Sequence, residues 1–156
     1  MPDIKNPKVF ISYSWSSEEH KERVLKWAQD LAGHGIKALI DRWSLREGQD
    51  KYVFMESMVT DQEVNHVLCF SDAAYAEKAN KREGGVGTES QIITPQLYSK
   101  ANQTKFIPIV CEFDAEGEPY LPTFFKNAIY VDFSSPERVN AEWKSSYGSS
   151  LISLLS

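Results

Sequence analysis

The stretch Lys8-Val-Phe-Ile-Ser-Tyr-Ser14 decides the fold class, because it is a short run of β-branched and aromatic residues that ends in polar ones. Its length and composition predict a buried β-strand. Apolar residues at helical spacing follow from Val24 to Leu31 and predict an amphipathic helix over 17–33. Ser16 or Ser17 is the expected N-cap of that helix. A strand followed directly by a helix is the repeating unit of a parallel α/β sheet.

The pattern continues along the chain as further strands alternating with helices. The other predicted strands are 36–41, 66–70 (ending at Ser71), 105–111 and 128–133. Pro108 suggests an edge-like position or a bulge in its strand, because proline lacks an N–H. The predicted helices are one that Asp50 caps and that runs to about Asp61 with Val53, Phe54 and Met58 inward, one over 88–101 with a restart at Thr94-Pro95, and one from Pro136 to the C-terminus.

Five alternating strands predict an α/β fold, a flavodoxin-like three-layer sandwich with a five-stranded parallel sheet of order 2-1-3-4-5. The 156 residues are enough for a single domain over 1–156 with a continuous core. Ligands of such sheets bind outside the carboxyl ends of the strands, where the strand order reverses. That rule selects segments 12–16, 41–50 and 71–89 as candidates. The residues expected to be buried in the sheet are Phe10, Ile11, Ile40, Leu68 and Ile109.

Composition narrows the functional classes. The net charge of −5 and the lack of a Lys/Arg-rich stripe argue against direct binding to nucleic acid. No apolar run approaches the length of a membrane span, and the first residues lack the apolar stretch of a secretory signal, so we expect a cytoplasmic protein that contacts no membrane. Cys69 and Cys111 lie in apolar runs and are interpreted as reduced core thiols. The three histidines have no metal-like spacing, so no metal site is predicted.

Four motifs at successive strand ends resemble those of TIR and SEFIR domains, with loop forms closer to the SEFIR branch. They are Phe10-Ile-Ser-Tyr-Ser14, Asp41-Arg-Trp-Ser-Leu-Arg-Glu-Gly48, Phe70-Ser-Asp-Ala-Ala-Tyr75 and Gly84-Gly-Val-Gly-Thr-Glu89. The chain departs from TIR enzymes at 85–88, where a Trp-Cys pair often precedes the family glutamate and Gly-Val-Gly-Thr stands here.

The resemblance implies that Glu89 is the catalytic residue of an NAD-cleaving effector of bacterial immune signalling, an NAD glycohydrolase or ADP-ribose cyclase that is activated by self-association. One carboxylate suffices for this reaction, because nicotinamide is a pyridinium cation in NAD and leaves as a neutral molecule. The carboxylate then has only to stabilise the positive charge that grows on the ribose. NAD would be a substrate, and no cofactor is expected.

Several other residues are candidates for contact with NAD, each with a structural alternative such as a turn, sheet packing or a solvated charge. Trp43, Leu45 and Gly48 form the candidate self-association loop, since an exposed tryptophan is typical of contact centres. The candidate substrate-binding residues are Ser12, Tyr13, Ser14, Asp41, Trp43, Ser71 and Arg82.

The rival hypothesis is a non-catalytic interaction module, as in eukaryotic SEFIR and many TIR domains, which signal by association with like domains. The missing Trp-Cys pair favours it, and Glu89 favours the enzyme. TIR-like domains usually accompany a sensor domain, so we expect the chain to be part of a longer protein or to act with a partner. The sequence determines neither the activating signal, nor a linear or cyclic product, nor the oligomer geometry.

Overall fold

The computed structural model describes residues 7–41, 46–81 and 92–144, together with Leu151 and Leu155. Its described strands form one parallel sheet of order β2-β1-β3-β4-β5, which confirms the predicted topology. The strands are β1 (Lys8–Tyr13), β2 (Lys37–Leu39), β3 (His66–Ser71), β4 (Phe106–Val110) and β5 (Val131–Asp132). The helices are α1 (Glu18–Gly33), α2 (Lys51–Thr60), α3 (Ala73–Asn80), α4 (Pro95–Tyr98) and α5 (Pro136–Lys144).

Each face of the sheet carries its own apolar cluster, because successive side chains of a strand point to opposite faces. Val9 and Ile11 of β1 belong to the cluster that α1 and α5 cover, together with Leu151 and Leu155. Phe10 belongs to the cluster that α2, α3 and α4 cover. The result is the three-layer sandwich that was predicted. All five residues that were expected in the buried sheet, Phe10, Ile11, Ile40, Leu68 and Ile109, are fully buried.

Polar side chains at the helix N-termini fix where the helices begin. Ser17, Asp50, Asp72 and Thr94 each accept a hydrogen bond from a backbone N–H three residues later. Such caps satisfy N–H groups that have no partner within the helix. The cap of α1 is therefore Ser17 rather than Ser16, and Asp50 caps α2 as predicted.

The described helices differ from the expectations at three places. Val53 is 60% exposed, because α2 turns Phe54, Met55 and Val59 toward the sheet and leaves Val53 about 100° around the axis from Phe54. The helix α3 follows β3 in a charged stretch for which no helix was predicted. The helix expected over 88–101 is, within the described residues, only α4, which starts at Pro95 after the cap Thr94.

The outer strands are shorter than predicted. The chain still turns at 123–128, so β5 begins only at Val131, and Ile129 is 94% exposed. Pro108 lies in β4 without a bulge in the register. The Cys111 N–H bonds to β3 and the Val110 carbonyl accepts from Phe133 on the β5 side. By alternation the Pro108 nitrogen faces the β5 side, where pairing starts only at Ile109, so no N–H is required.

Candidate functional site

Asp72 is the centre of a buried polar cluster at the carboxyl end of the sheet. It follows β3 directly and is only 6% exposed. Its Oδ1 accepts from the Tyr75 N–H and from Ser14 Oγ, both at 2.8 Å, and its Oδ2 accepts from Ser16 Oγ at 2.8 Å. The carboxylate thus joins the exit of β1 to the N-terminus of α3. The helix N-terminus and three hydrogen bonds compensate for its burial.

His20 lies on the other side of Asp72 and is nearly fully buried. Its Nε2 is 3.8 Å from Asp72 Oδ2, and its Nδ1 is 2.8 Å from Arg23 Nη2. A guanidinium group only donates, so Nδ1 must accept, and the proton of the neutral ring is on Nε2 toward Asp72. Burial lowers the pKa of His20, against the opposing effect of Asp72. The ring is therefore neutral and accepts from Arg23, whereas its buried Nε2 lies near Asp72 without a hydrogen-bond partner among the described residues.

A second buried contact connects β1 with α3 and the segment before α4. Ser12 Oγ lies 2.7 Å from the Tyr75 hydroxyl oxygen, which also accepts from the Ile93 N–H at 3.2 Å. Burial raises the pKa of Tyr75 well above its usual value, so the phenol stays neutral. This contact anchors Ile93, four positions after Glu89, at the carboxyl end of the sheet.

The other predicted polar residues also have partners inside the protein. Tyr13 donates to Asp41 Oδ1 at 2.6 Å, which joins the exits of β1 and β2. Ser71 donates to the Tyr120 carbonyl at 2.6 Å, away from the Asp72 cluster. All five described candidates for substrate contact are less than 9% exposed, namely Ser12, Tyr13, Ser14, Asp41 and Ser71. These five residues therefore form a buried, hydrogen-bonded surface at the carboxyl ends of the strands.

Trp15 follows β1 and lies near two lysine side chains. Lys51 Nζ lies 4.2 Å and Lys21 Nζ 5.6 Å from the centroid of its ring system, distances at which a cation is attracted to the ring face. Lys21 also pairs with Glu18 at 2.8 Å. The exit of β1 therefore combines an aromatic ring with positive charge.

Part of the predicted site lies outside the described residues, namely Glu89, Arg82, Trp43 and Leu45. Gly48 is described and has a φ of +86°, the left-handed region that glycine adopts without strain. It lies in a turn in which the Arg46 N–H donates to Gln49 Oε1 and the Gln49 N–H donates to the Arg46 carbonyl. The described end of the candidate loop thus turns back sharply.

Sequence reasoning missed the residues that organise the cluster. Asp72, three positions before Tyr75 and directly after a buried strand, is a usable N-cap signal. It was hidden because 72–87 as a whole is charged and rich in glycine. His20 gave no signal, since its partner Asp72 is distant in sequence and only the fold brings the two together.

The remaining expectations concern thiols, metals and membranes. Cys69 and Cys111 are buried free thiols, as predicted, and burial raises the pKa of Cys69 to about 12 and that of Cys111 further. Within the described ranges, no group of three or more His, Cys, Asp and Glu side chains is arranged to hold a metal ion. No helix in this part of the chain is long and apolar enough to cross a membrane.

Comparison with known proteins shows which family this chain resembles. The SEFIR domain family matches residues 7–141. The crystal structure of a prokaryotic SEFIR domain superposes with a TM-score of 0.77 at 44% identity, covering 89% of this chain and 88% of that one. The TIR domain of the Toll-related receptor TRR-2 from Hydra magnipapillata superposes with a TM-score of 0.57 at 17% identity, covering 87% and 91%. The latter likeness shows the fold alone. No curated protein sequence matches.

Proposed function

This chain belongs to the SEFIR family, and we propose that it is a signalling domain that acts by associating with like domains. The observation that carries the proposal is the family match over nearly the whole described fold. The internal hydrogen bonds of Ser12, Ser14 and Ser71 support it, because these side chains already have structural roles. An association domain needs such a rigid scaffold and does not need free polar groups at the strand exits.

The loop from Arg42 to Gln49 is the proposed contact, with Trp43 as its centre and Leu45 beside it. Truncation of a central tryptophan often costs 2 kcal/mol or more, roughly a thirtyfold rise in Kd. We expect the isolated domain to be mostly monomeric at micromolar concentration and to associate when concentrated or tethered.

Sedimentation velocity over a concentration series tests this role. Trp43→Ala should weaken association at least tenfold and leave the circular dichroism spectrum unchanged. Ile129→Ala is the control, since it removes an exposed apolar side chain beside β5, at the edge of the sheet opposite β2. Equal losses in both variants, or a Trp43→Ala profile that overlays the wild type, would exclude the loop as the specific contact.

NAD cleavage at Glu89 is the second candidate function. Two described features favour it. The N–H of Ile93, four positions after Glu89 in the sequence, donates to the Tyr75 hydroxyl, which also contacts Ser12 at the exit of β1. Lys51 lies over Trp15 at the same exit. A cation near this exit suits the pyrophosphate of NAD, and a carboxylate suits the cationic ribose of the transition state.

Nicotinamide release from NAD, followed by chromatography with concentrated and tethered protein, tests catalysis. Glu89→Gln should lower the rate at least 10²-fold, about 2.7 kcal/mol, because it removes the charge and keeps the shape. The free energy of unfolding should change by less than about 1 kcal/mol. Glu63→Gln, an exposed glutamate that pairs with Lys8, is the matched control and should keep full activity. A tethered wild type without turnover would leave association as the function, whereas a fully active Glu89→Gln would end the catalytic assignment.

A further inference from the structure

His20 is a buried histidine that uses only one of its two ring nitrogens. The residue is 4% exposed, and its Nδ1 accepts from Arg23 Nη2 at 2.8 Å. Its Nε2 has no hydrogen-bond partner among the described residues, although Asp72 Oδ2 is only 3.8 Å away. A buried N–H without a partner destabilises the fold, so its presence here requires a physical explanation.

Asp72 is able to accept one more hydrogen bond on the side that faces His20. Each oxygen of a carboxylate has about two lone pairs, and the described donor to Oδ2 is Ser16 Oγ at 2.8 Å. A shift of about 1 Å would bring His20 Nε2 within the usual N–H···O distance of Oδ2. In the neutral state the ring instead keeps its contact with Arg23 on the opposite side.

Arg23 has open space beside it and can leave His20 without disturbing the core. The residue is exposed, and its guanidinium carbon lies 5.3 Å from the centroid of the Trp27 ring system. It lines a groove between α1 and α5 with a volume of about 570 Å³, which Trp27 and Trp143 also line. Release of Arg23 into this groove would leave the apolar clusters on both faces of the sheet intact.

The charges around His20 determine what an added proton does. Burial lowers the pKa of His20; Asp72 and Glu112 oppose that effect, and Arg23 adds to it. The first turn of α1 also disfavours a positive charge, because the helix dipole is positive there. A protonated ring has an N–H at both nitrogens, so Nδ1 would meet the guanidinium as a second donor and a second cation. The protonated ring is therefore compatible with Asp72 and incompatible with Arg23.

We propose that His20 is a proton-operated switch that sets the position of Arg23. At neutral pH, Nδ1 of the neutral ring holds Arg23 beside Trp27. In acid, a proton from the solvent adds to Nδ1, the hydrogen bond from Arg23 breaks, and Nε2 keeps its proton and donates it to Asp72 Oδ2 in a hydrogen bond. A buried protonation site thus controls where a surface cation lies. The switch goes beyond the proposed function, because it involves neither the loop after β2 nor Glu89.

Proton–nitrogen NMR correlation of the histidine rings, over a pH series from neutral to acid, tests the switch. The His20→Gln variant identifies the His20 resonances by their loss. At neutral pH the ring proton should be on Nε2 alone. On acidification, the Arg23 Nε–H resonance should move with the same midpoint as the His20 ring, while the circular dichroism spectrum stays unchanged.

Three variants separate the charges that act on His20. Arg23→Met keeps an unbranched side chain and removes both the charge and the donor, so the midpoint of His20 should rise by about 1 pH unit. Lys26→Met is the matched control, because it removes another exposed cation from the same helix, and it should shift the midpoint by less than about 0.3 pH unit. Glu112→Gln should lower the midpoint, since it removes a negative charge near the ring.

Four results would overturn the proposal. The first is a His20 ring that carries its proton on Nδ1 at neutral pH, and the second is a ring that titrates only as the protein unfolds. The third is an Arg23 resonance that does not follow the His20 midpoint. The fourth is a folded Arg23→Met protein in which His20 titrates with the wild-type midpoint.

Discussion

The carboxyl end of the sheet and the groove between α1 and α5 differ in how their side chains are used. At the strand exits, Ser14 and Asp72 are buried, and Asp72 accepts hydrogen bonds from Ser14 and from the exposed Ser16. In the groove, Arg23 and Trp27 line an open volume. His20 connects the two regions, because it contacts Asp72 on one side and Arg23 on the other.

The difference teaches that polar residues at strand exits do not make an open site by themselves. Serine and aspartate at these positions also satisfy helix N-termini and neighbouring strands, a requirement of any buried polar group. Removing a residue of the Asp72 cluster should therefore affect folding, whereas changing the exposed rim of the groove should leave the stability of the fold unchanged.

The largest effect is expected for Asp72→Ala. This change removes the acceptor of two serine hydroxyls and the Tyr75 N–H, and it leaves the Ser14 hydroxyl and the Tyr75 N–H unpaired in the interior. The free energy of unfolding should fall by about 3 kcal/mol, measured by urea denaturation at neutral pH. Asp50→Ala is the matched control, since Asp50 also caps a helix but is exposed, and it should cost about 1 kcal/mol. Equal losses in the two variants would show that the serine bonds add no stability.

A smaller loss is expected for Tyr75→Phe. The substitution keeps the ring and removes the hydroxyl that contacts Ser12 and accepts the Ile93 N–H. An unpaired buried N–H costs about 1–3 kcal/mol, so unfolding by urea should become easier by an amount in that range. Tyr130→Phe, at a partly exposed tyrosine, should change stability by less than about 0.5 kcal/mol. A Tyr75→Phe protein as stable as the wild type would contradict the role of this hydroxyl as an anchor.

Stability should also fall as the solution becomes acidic. Burial lowers the pKa of both His20 and His66 below 6.5, so below that pH the unfolded chain binds more protons than the folded one. The loss begins near pH 6.5 and continues down to the lowered pKa values of the folded state. His20→Gln should flatten this dependence in urea denaturation at a series of pH values, and His34→Gln, at an exposed histidine, should not. An unchanged slope in His20→Gln would refute the neutral, confined state of this ring.

The smallest effect is expected at the groove rim. Lys26 and Asp30 form an i,i+4 pair with side chains 73% and 32% exposed. Such pairs contribute less than about 0.5 kcal/mol, so Lys26→Gln should melt like the wild type. A large shift of its melting temperature would mean that the rim is structural, which would remove the contrast with the Asp72 cluster.

Much of the fold could be predicted because it depends on local patterns. The apolar run of β1 and the spacing of Val24 to Leu31 reflect side-chain periodicity, which tertiary contacts rarely reverse. The errors fell where the signal was weak: α3 lies in a charged stretch, and β5 lies next to turns that shorten it. The sequence indicated polar residues at the strand exits, but not the hydrogen bonds between them, since Ser14 and Asp72 are 58 positions apart.

By itself, the sequence determined the alternation of strands and helices, the parallel sheet, its buried residues and the resemblance to SEFIR and TIR domains, because periodicity and short motifs are local properties of a chain. Only the tertiary structure decided that Asp72 accepts hydrogen bonds from the serines at the β1 exit and that neutral His20 accepts from Arg23. It also decided that Trp27 and Trp143 line one groove. Each of these depends on the crossover connections that bring distant segments together. Their hydrogen bonds and ring contacts form only after the sheet has fixed the positions of the helices.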